Sequence, residues 1–410
     1  MLAALESGVK GGVWFSLMDK VCGEGNLRSS AAKVVGNKGS AGVDHVTVEA
    51  FSADLEGNLE RLGKALRDGA YRPSAIRRVV IPKPGSREGR PLGIPTVRDR
   101  VVQGAVRQVL EPIFEKGFAD CSYGFRPGRG CKDALRRVDS LLKGGYTHVV
   151  DIDIKGYFDA IDHLRLMDLL AGKVADGTVL ALVNQFLKAG IFSELGEWEP
   201  ESGVPQGAVL SPLLSNVYLD PLDHLMVAKG FRMIRYADDM VVLCRSSAEA
   251  EEALSAVRRW CESAKLELHP EKTAVVDVRV GGFDFLGYHF RESKGRVVRW
   301  PRKRSLGKLR DAIRAKTKRK RSDTMSVIVR DVNATLVGWF GYFKHSLGPT
   351  FRSVDGWVRM RLRCILRRRL GHDCRDRKMD VFKWPNAFFA DAGLFSLEQA
   401  WKSARQSPRG

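Results

Sequence analysis

Two adjacent aspartates, Asp238 and Asp239, stand between two apolar segments of strand character. The flanking segments, 233–236 and 240–244, favour β-structure, so the pair is predicted at or near the turn of a hairpin. Hairpin turns normally use Asn-Gly or Asp-Gly, and two neighbouring carboxylates repel each other unless a cation neutralises them. An isolated Asp-Asp pair is more often an acidic surface turn, but Mg²⁺, which binds carboxylate oxygens, is the cation that this pattern favours.

A further carboxylate, Asp153, lies near the end of the predicted strand 148–154. Carboxylates from two separate strands could together hold two Mg²⁺ ions about 3.5–4 Å apart. Such a pair of ions activates a 3′-hydroxyl and stabilises the leaving pyrophosphate in nucleotidyl transfer. Neither acidic segment is specific alone, so the hypothesis depends on the rest of the chain.

The chain is long and strongly basic, with 410 residues and a net charge of +20. This charge predicts a polyanionic partner, and the length allows two or three domains. No apolar run approaches the roughly 18–20 residues that span a membrane. The seven cysteines form no C-x-x-C pair, which favours reduced thiols. We therefore expect a cytoplasmic, nucleoid-associated protein without a membrane partner.

The first 300 residues alternate between predicted strands and helices. Residues 76–81 and 90–95 are predicted to pair as a basic hairpin, and a helix is predicted over about 96–114. The order of elements predicts an antiparallel sheet with helices on one face, which is an α+β fold. The other predicted elements are the strand 148–154, helical sequence over about 163–190, helices at about 212–229 and 247–265 flanking the acidic hairpin, and short strands over 273–290.

After residue 300 the sequence becomes helical and basic. Residues 302–321 contain eleven Lys or Arg and one acid, Asp311. A solubilising face would mix charges of both signs, so this imbalance favours contact with a polyanion. Helical spacing favours core packing over base stacking for the aromatic residues Trp339, Phe340, Tyr342 and Phe343.

An ordered set of motifs resembles the group II intron-encoded reverse transcriptases and their free-standing relatives. The resemblance covers about residues 25–405. Its motifs are Gly39-Ser-Ala-Gly-Val-Asp44, Ile81-Pro-Lys-Pro-Gly85, Arg90-Pro-Leu-Gly-Ile-Pro95, Tyr123-Gly-Phe-Arg-Pro-Gly128, Asp153-Ile-Lys-Gly-Tyr-Phe-Asp159, Pro205-Gln-Gly-Ala-Val-Leu-Ser-Pro-Leu-Leu214, Tyr236-Ala-Asp-Asp239, His269-Pro-Glu-Lys-Thr273, Phe285-Leu-Gly287 and the thumb-like Gly338-Trp-Phe-Gly-Tyr-Phe343. This resemblance implies a right-hand polymerase, with fingers, an antiparallel palm sheet and an all-α thumb.

The resemblance also implies a role for individual residues. Asp153 and Asp238 would be ligands of two Mg²⁺ ions, for which Mn²⁺ could substitute, with Asp239 beside them and the Ile154 carbonyl completing one shell. Lys272 would protonate pyrophosphate, or it is an ordinary surface lysine. The implied nucleotide-binding residues are Lys83 and Arg90 at the triphosphate, with Arg87 as an alternative to Arg90, Phe158 as a gate against the 2′-hydroxyl, and Gln206.

Other residues are expected to contact nucleic acid. Gly39 and Gly42 belong to a loop expected over the template, and the thumb is expected to follow the duplex backbone. The expected thumb contacts are Lys316, Lys318, Arg319, Lys320, Arg321, Arg363 and Arg367.

The resemblance predicts four regions. They are an N-terminal extension with the template loop (1–75), a fingers–palm domain (76–300), a helical thumb (301–375) and a short DNA-binding-like tail (376–410). The expected activity is RNA-directed DNA synthesis, with RNA template, DNA primer, RNA/DNA or DNA duplex and dNTPs as partners.

Three biological readings stay open. The protein could be an intron-encoded maturase that also binds its intron RNA, a host-recruited repair or end-joining enzyme, or a splicing cofactor without polymerase activity. The sequence after Trp384 offers no cysteine pairs typical of the family's DNA endonuclease, so we expect none in this chain.

Overall fold

The computed structural model describes residues 12–82, 89–193, 196–371 and 377–406 of the chain. They divide into two units, one within Met1–Val138 and His148–Val275 and the other within Asp139–Thr147 and Val276–Gly410. None of the described helices is both long and apolar enough to cross a bilayer.

A long buried helix organises the first part of the first unit. This helix, α5 (Val97–Glu115), begins at Thr96, whose side chain accepts a hydrogen bond from the Asp99 amide at 3.1 Å as an N-cap. Its apolar residues join the main core, as predicted for a helix over 96–114. The helices before it are α1 (Met18–Val21), α2 (Glu24–Gly36), α3 (Val48–Ala53) and α4 (Leu55–Arg67).

The basic hairpin predicted from the sequence is present. Strands β1 (Ile76–Pro82) and β2 (Gly89–Ile94) pair antiparallel, with Ile81 opposite Arg90. Two short strands, β4 (Ile191–Ser193) and β5 (Gly196–Trp198), extend this sheet in the order β2-β1-β4-β5.

A second sheet has the order β6-β7-β3-β8. Its strands are β3 (His148–Ile152), β6 (Arg232–Tyr236), β7 (Asp239–Cys244) and β8 (Ala274–Asp277). Both β6 and β3 pair antiparallel with β7, and most of β7 is fully buried. The antiparallel sheet expected for a palm is therefore confirmed.

Several helices belong to the same part of the chain as the palm sheet. The sequence predicted one helical stretch over 163–190, but the structure forms two helices. The second of them begins at Asp176, whose carboxylate accepts hydrogen bonds from two of its amides. The remaining helices of this part are α6 (Cys131–Lys143), α7 (Tyr157–Ala160), α8 (His163–Ala171), α9 (Gly177–Leu187), α10 (Ser211–Ala228) and α11 (Ser247–Ser263).

The second unit combines a small sheet with six helices in its described residues. Ile328, Val332 and Leu336 lie in its apolar core. The strands are β9 (Phe283–Phe285), β10 (Tyr288–Ser293) and β11 (Arg296–Pro301), and the helices are α12 (Lys303–Lys316), α13 (Met325–Phe343), α14 (Gly348–Arg369), α15 (Arg377–Lys383), α16 (Asn386–Asp391) and α17 (Leu397–Gln406).

The boundary of the second unit lies earlier than the predicted residue 300. Strand β10 packs on the helical part, because the Tyr288 ring lies 4.9 Å from the Phe343 ring and its hydroxyl donates to the Tyr342 carbonyl at 2.7 Å. The C-terminal segment also belongs to this unit, since Asp355 of α14 accepts a hydrogen bond from the Leu397 amide at 3.0 Å. Packing contacts therefore join the small sheet, the thumb-like helices and the tail.

Candidate active site

The acidic residues converge at one end of two neighbouring strands. Ile152 of β3 pairs with Met240 of β7, and the next residues outward are Asp153 and Asp239. Because β3 and β7 are antiparallel neighbours, their ends meet at one edge of the palm sheet. The two acidic segments, distant in sequence, therefore lie side by side.

Asp238 occupies the tight turn between β6 and β7, as predicted. Tyr236 pairs with Asp239, which leaves Ala237 and Asp238 as the two turn residues. Ala237 has φ of +59°, a left-handed conformation that favours glycine. The turn is therefore strained at the residue that immediately precedes the half-buried Asp238.

Lys272 lies against Asp153, although 119 residues separate them in sequence. Its Nζ lies 3.3 Å from both carboxylate oxygens of Asp153. The Thr273 hydroxyl also donates to the Asp153 carbonyl at 3.3 Å. The structure thus brings the segment 269–273 against Asp153, while proton donation by Lys272 stays a prediction.

The donor chemistry of this edge suits a hard divalent cation. Asp153, Asp238 and Asp239 supply carboxylate oxygens, and Ile154 supplies a main-chain carbonyl, the ligand types that Mg²⁺ takes. No set of three or more His, Cys, Asp or Glu side chains within the described residues is close enough to form a complete metal site. Metal binding at this edge stays a prediction.

A buried arginine lies directly below the acidic turn and was not predicted. Arg235 of β6 and Asp223 of α10 are both fully buried and form an ion pair. Burial alone would lower the pKa of Arg235, but the Asp223 carboxylate outweighs it and raises that pKa above its usual value. Two sequence signals could have indicated this pair. Arg235 is a charged residue within an apolar strand, and Asp223 is an acid within an apolar helix.

Tyr236, the residue before the turn, is held in its neutral form. A hydrogen bond with the Cys131 side chain, together with burial, raises the pKa of Tyr236 to about 12. The Phe125 ring, whose residue also has a left-handed backbone, lies 6.5 Å from the Tyr236 ring. A phenol with its ordinary pKa of about 10 is already uncharged at neutral pH, and the raised pKa extends this uncharged range to higher pH.

The proposed sugar gate, Phe158, is positioned by its backbone and by its neighbour. It is half-buried on α7, with its ring 5.4 Å from that of the fully buried Tyr157. Its carbonyl accepts a hydrogen bond from the Val204 amide at 2.7 Å. At Gly203, with φ of +92°, a Cβ would lie 3.0 Å from the Asp159 backbone, so this contact requires glycine.

Gln206 lines a cavity of about 440 Å³ between the fingers hairpin and the segment that follows Phe158. Arg78, Gly93 and Asp159 line the same cavity. The Gly93 amide donates to the Gln206 carbonyl at 2.7 Å, which joins the 203–207 loop to β2. The 203–207 loop thus links Gln206 to the backbone of Phe158 through Val204, and nucleotide binding at this cavity stays a prediction.

The expected triphosphate-binding residues cannot be placed against this cavity. Lys83 and Arg87 lie outside the described residues, and for Arg90 only the backbone pairing with Ile81 is described. Their contact with a triphosphate stays a prediction.

The glycines of the expected template loop serve local packing. A Cβ at Gly42 would lie 2.6 Å from the Thr96 backbone, and one at Gly39 would lie 2.4 Å from the Arg100 guanidinium. The close approach inferred from these glycines is therefore to the chain's own helix α5. Contact of this loop with a template stays a prediction.

Two arginines expected to contact nucleic acid instead hold the second unit together. Arg363 is buried and donates to the Trp384 carbonyl at 2.9 Å. Arg367 is buried and pairs with Asp380, with Nε 3.0 Å from Oδ1. The expectation of phosphate contacts at these residues is corrected, because their guanidinium groups are already bonded inside the unit.

The basic residues of the segment 316–321 fall into two groups, one bonded inside the unit and one exposed to solvent. Lys316 donates to the Asp331 carbonyl at 2.8 Å, and Arg321 forms ion pairs with Asp323 and Asp331. Both side chains therefore stabilise the packing of α13. Three neighbours are exposed and remain candidates for phosphate contact, namely Lys318, Arg319 and Lys320.

The chain matches two models of known protein families. A family model described as reverse transcriptase (RNA-dependent DNA polymerase) matches residues 81–290, which is just over half of the chain. A second model, described as the group II intron, maturase-specific domain, matches residues 306–381.

Several curated proteins are similar to this chain. The group II intron-encoded protein LtrA of Lactococcus lactis subsp. cremoris is 38% identical over 242 residues, 58% of this chain and 39% of LtrA. Protein YkfC of Escherichia coli (strain K12) is 33% identical over 315 residues, 66% of this chain and 81% of YkfC. An uncharacterized 91 kDa protein in the cob intron of Schizosaccharomyces pombe is 30% identical over 307 residues, 60% of this chain and 37% of that protein.

The matched length differs among these relatives, since the similarity spans about two fifths of LtrA and most of YkfC. The reverse transcriptase match includes both acidic segments, and the maturase-specific match covers most of the basic helical unit. The chain therefore belongs to the reverse transcriptase family of group II intron type, with a maturase-specific domain after its polymerase region.

Proposed function

We propose that the protein is an RNA-directed DNA polymerase that extends a DNA primer on an RNA template, and also on a DNA template, with dNTPs. The observation that carries this proposal is the meeting of Asp153, Asp238 and Asp239 at adjoining ends of β3 and β7, inside the region matched by the reverse transcriptase model. A protein that only bound RNA would need no such concentration of carboxylates at one edge of its sheet.

The metal ions of this reaction would be held by Asp153, Asp238 and the carbonyl of Ile154. Two Mg²⁺ ions, or Mn²⁺ in their place, would lower the pKa of the primer 3′-hydroxyl and neutralise charge on the leaving pyrophosphate. Asp239, the first residue of β7, would add negative charge that favours the binding of cations at this edge.

The remaining residues would orient the incoming nucleotide. Phe158 would lie under its sugar, where a ring leaves no room for a 2′-hydroxyl, and Gln206 would contact it from the cavity. Lys83 and Arg90, or Arg87 in place of Arg90, would bind the triphosphate, since cationic donors stabilise charge on a transferring phosphate. Lys272, which pairs with Asp153, would donate a proton to the leaving pyrophosphate.

The second unit would bind the nucleic-acid backbone and, in a maturase, the intron RNA. Its maturase-specific match and its exposed basic residues support this role. The polymerase would work at the nucleoid, where its templates and primers lie. A host-recruited role in DNA repair or end joining is the second candidate, because such an enzyme would use the same polymerase site.

Binding experiments with a structured intron RNA separate these two roles. The genomic sequence flanking the reading frame supplies the candidate intron, and the control is a random duplex of equal length and charge. A maturase is expected to prefer the intron RNA by about 10³-fold or more, the range typical of specific over non-specific binding. Equal affinity for the intron RNA and the random duplex would exclude the maturase role and favour the host-recruited one.

Neutralising three exposed basic residues of the second unit is expected to weaken duplex binding and to reduce the salt dependence of that binding. The variant replaces Lys318, Arg319 and Lys320 with serine. Losing three phosphate contacts should lower the slope of log affinity against log salt by about 2.7, at about 0.9 for each contact. Affinity for a primer–template duplex is measured between low and moderate salt.

A matched control removes the same charge from the first unit. It replaces Lys229, Arg258 and Arg259, which are exposed on or beside α10 and α11, with serine. The control is expected to change the slope much less, because general charge loss acts at longer range and is screened. A similar change in both triple variants would contradict the assignment of 318–320 as a contact site.

A further inference from the structure

The buried ion pair beneath the acidic turn connects two elements of the palm. Arg235 lies on β6 and Asp223 on α10, and both side chains are completely inaccessible to solvent. Arg235 Nε donates to Asp223 Oδ1 at 2.8 Å, and Nη2 donates to Oδ2. The guanidinium therefore has a fixed orientation, set by two donors on one carboxylate.

Stability alone does not account for this pair. Transferring two charges from water to the interior carries a desolvation penalty, and apolar residues of similar volume often replace such a pair without loss. All neighbouring positions on β6 and β7 that face the interior are apolar, so an apolar pair would suit the surroundings. What distinguishes arginine here is the third nitrogen, Nη1, which is left to bond elsewhere.

Arg235 Nη1 points to the strained turn. It donates to the Ala237 carbonyl at 3.1 Å and to Asn216 Oδ1 at 2.9 Å. Ala237 is buried with φ of +59°, a conformation that costs free energy for a residue with a Cβ. The hydrogen bond from Arg235 thus stabilises the backbone conformation that immediately precedes Asp238.

Asn216 extends this hydrogen-bond network to the loop 121–124. The Asn216 amide donates from Nδ2 to the Gly124 carbonyl at 2.9 Å. A Cβ at Gly124 would lie 2.2 Å from the Ala237 amide nitrogen, so this loop and the turn are in direct backbone contact. Asn216 therefore connects the guanidinium to the loop that lies against the turn.

We propose that Arg235, held by Asp223 and Asn216, is a positioning residue that clamps the Ala237–Asp238 turn to the loop 121–124 and so fixes the Asp238 carboxylate. This inference rests on the proposed function, in which Asp238 is a metal ligand. We call the set Asp223, Asn216 and Arg235 the turn clamp. It acts on the reaction only through the position of Asp238.

Replacing Asn216 with alanine tests the turn clamp while leaving the Arg235–Asp223 ion pair in place. The single-turnover extension rate is expected to fall by about 10- to 100-fold, the effect of about 1 Å of misplacement in a catalytic group. The Mg²⁺ concentration for half-maximal rate is expected to rise several-fold, about 3- to 10-fold, because a displaced ligand binds the ion less tightly. The Kd for primer–template should stay within about twofold, since phosphate contacts supply that affinity.

The matched control is Ser215→Ala on the same helix. Ser215 is fully buried, and its hydroxyl has no hydrogen-bond partner among the described residues. This variant is expected to keep the parental rate and Mg²⁺ requirement. If Asn216→Ala does not fold, Asn216→Ser, which cannot reach both partners, takes its place.

A readout independent of activity is amide hydrogen exchange. Exchange in the segments 121–125 and 235–240 is expected to be faster in Asn216→Ala than in the parent and in Ser215→Ala. Adding Ala237→Gly is expected to recover part of the lost rate, because glycine adopts positive φ without the cost that the clamp offsets.

Each outcome decides one of the two claims. An unchanged rate, Mg²⁺ requirement and exchange pattern in a folded Asn216→Ala protein would overturn the turn clamp. A folded parent protein that extends no primer would overturn the proposed function, and hydrogen exchange would then still decide whether the clamp orders the turn. A lower rate with an unchanged Mg²⁺ requirement and no recovery by Ala237→Gly would also overturn the clamp.

Discussion

Replacing Asp238 with asparagine is expected to reduce primer extension by about 10³-fold or more without unfolding the protein. A ligand of the metal ions supplies several kcal/mol of transition-state charge stabilisation, and each 1.4 kcal/mol corresponds to about tenfold in rate. Asp238 is half-buried in a turn, and asparagine has nearly the same shape, so the fold should tolerate the change. Single-turnover extension with saturating primer–template and dNTP measures the effect.

A second aspartate provides the control. Asp168 is exposed on α8 of the same unit, and Asp168→Asn removes the same charge without touching the acidic edge. This control should retain the parental rate. Near-normal extension by a folded Asp238→Asn protein would remove Asp238 from the metal ligands.

Replacing Phe158 with alanine is expected to allow ribonucleotides to compete with deoxyribonucleotides. The ratio of kcat/KM for rNTP to that for dNTP should rise by about 10- to 100-fold, the range that steric discrimination in a pocket commonly supplies. The half-buried ring packs on Tyr157, and the backbone of residue 158 is held by Val204, so the position survives the change.

The matched comparison for the gate is Phe158→Tyr, which keeps the ring. It should retain parental discrimination, while overall dNTP incorporation by Phe158→Ala should fall only modestly. An unchanged rNTP to dNTP ratio in Phe158→Ala would mean that the ring has a packing role and is not a sugar gate.

Much of the palm could be predicted from the sequence because its signals are local. Apolar segments flank the two aspartates, so the hairpin of β6 and β7 followed from residues 233–244 alone. The pairing of β3 with β7 could not be predicted in this way, because Ile152 at the end of β3 lies 87 residues before Asp239 at the start of β7. Only the tertiary structure brings these two strand ends together. The resemblance to a family supplied what local patterns could not.

The buried charges could not be predicted, because a sequence gives charge without giving burial. Arg363 and Arg367 belong to an arginine-rich helix and were expected to contact phosphate, but their partners, Trp384 and Asp380, lie 21 and 13 residues further along the chain. Arg235 was overlooked for the same reason, since its partners Asp223 and Asn216 lie on another element. In each case a tertiary contact decided the role of the side chain.

The most direct test of the proposed function is extension of a DNA primer annealed to an RNA template of mixed sequence by the purified protein. Product length and sequence are read after single-turnover incubation with dNTPs, with and without Mg²⁺. We expect a DNA product complementary to the RNA, formed only with Mg²⁺ or Mn²⁺ and abolished in Asp238→Asn. A folded parent protein that extends no primer under these conditions, or that adds nucleotides without regard to the template, would contradict the account.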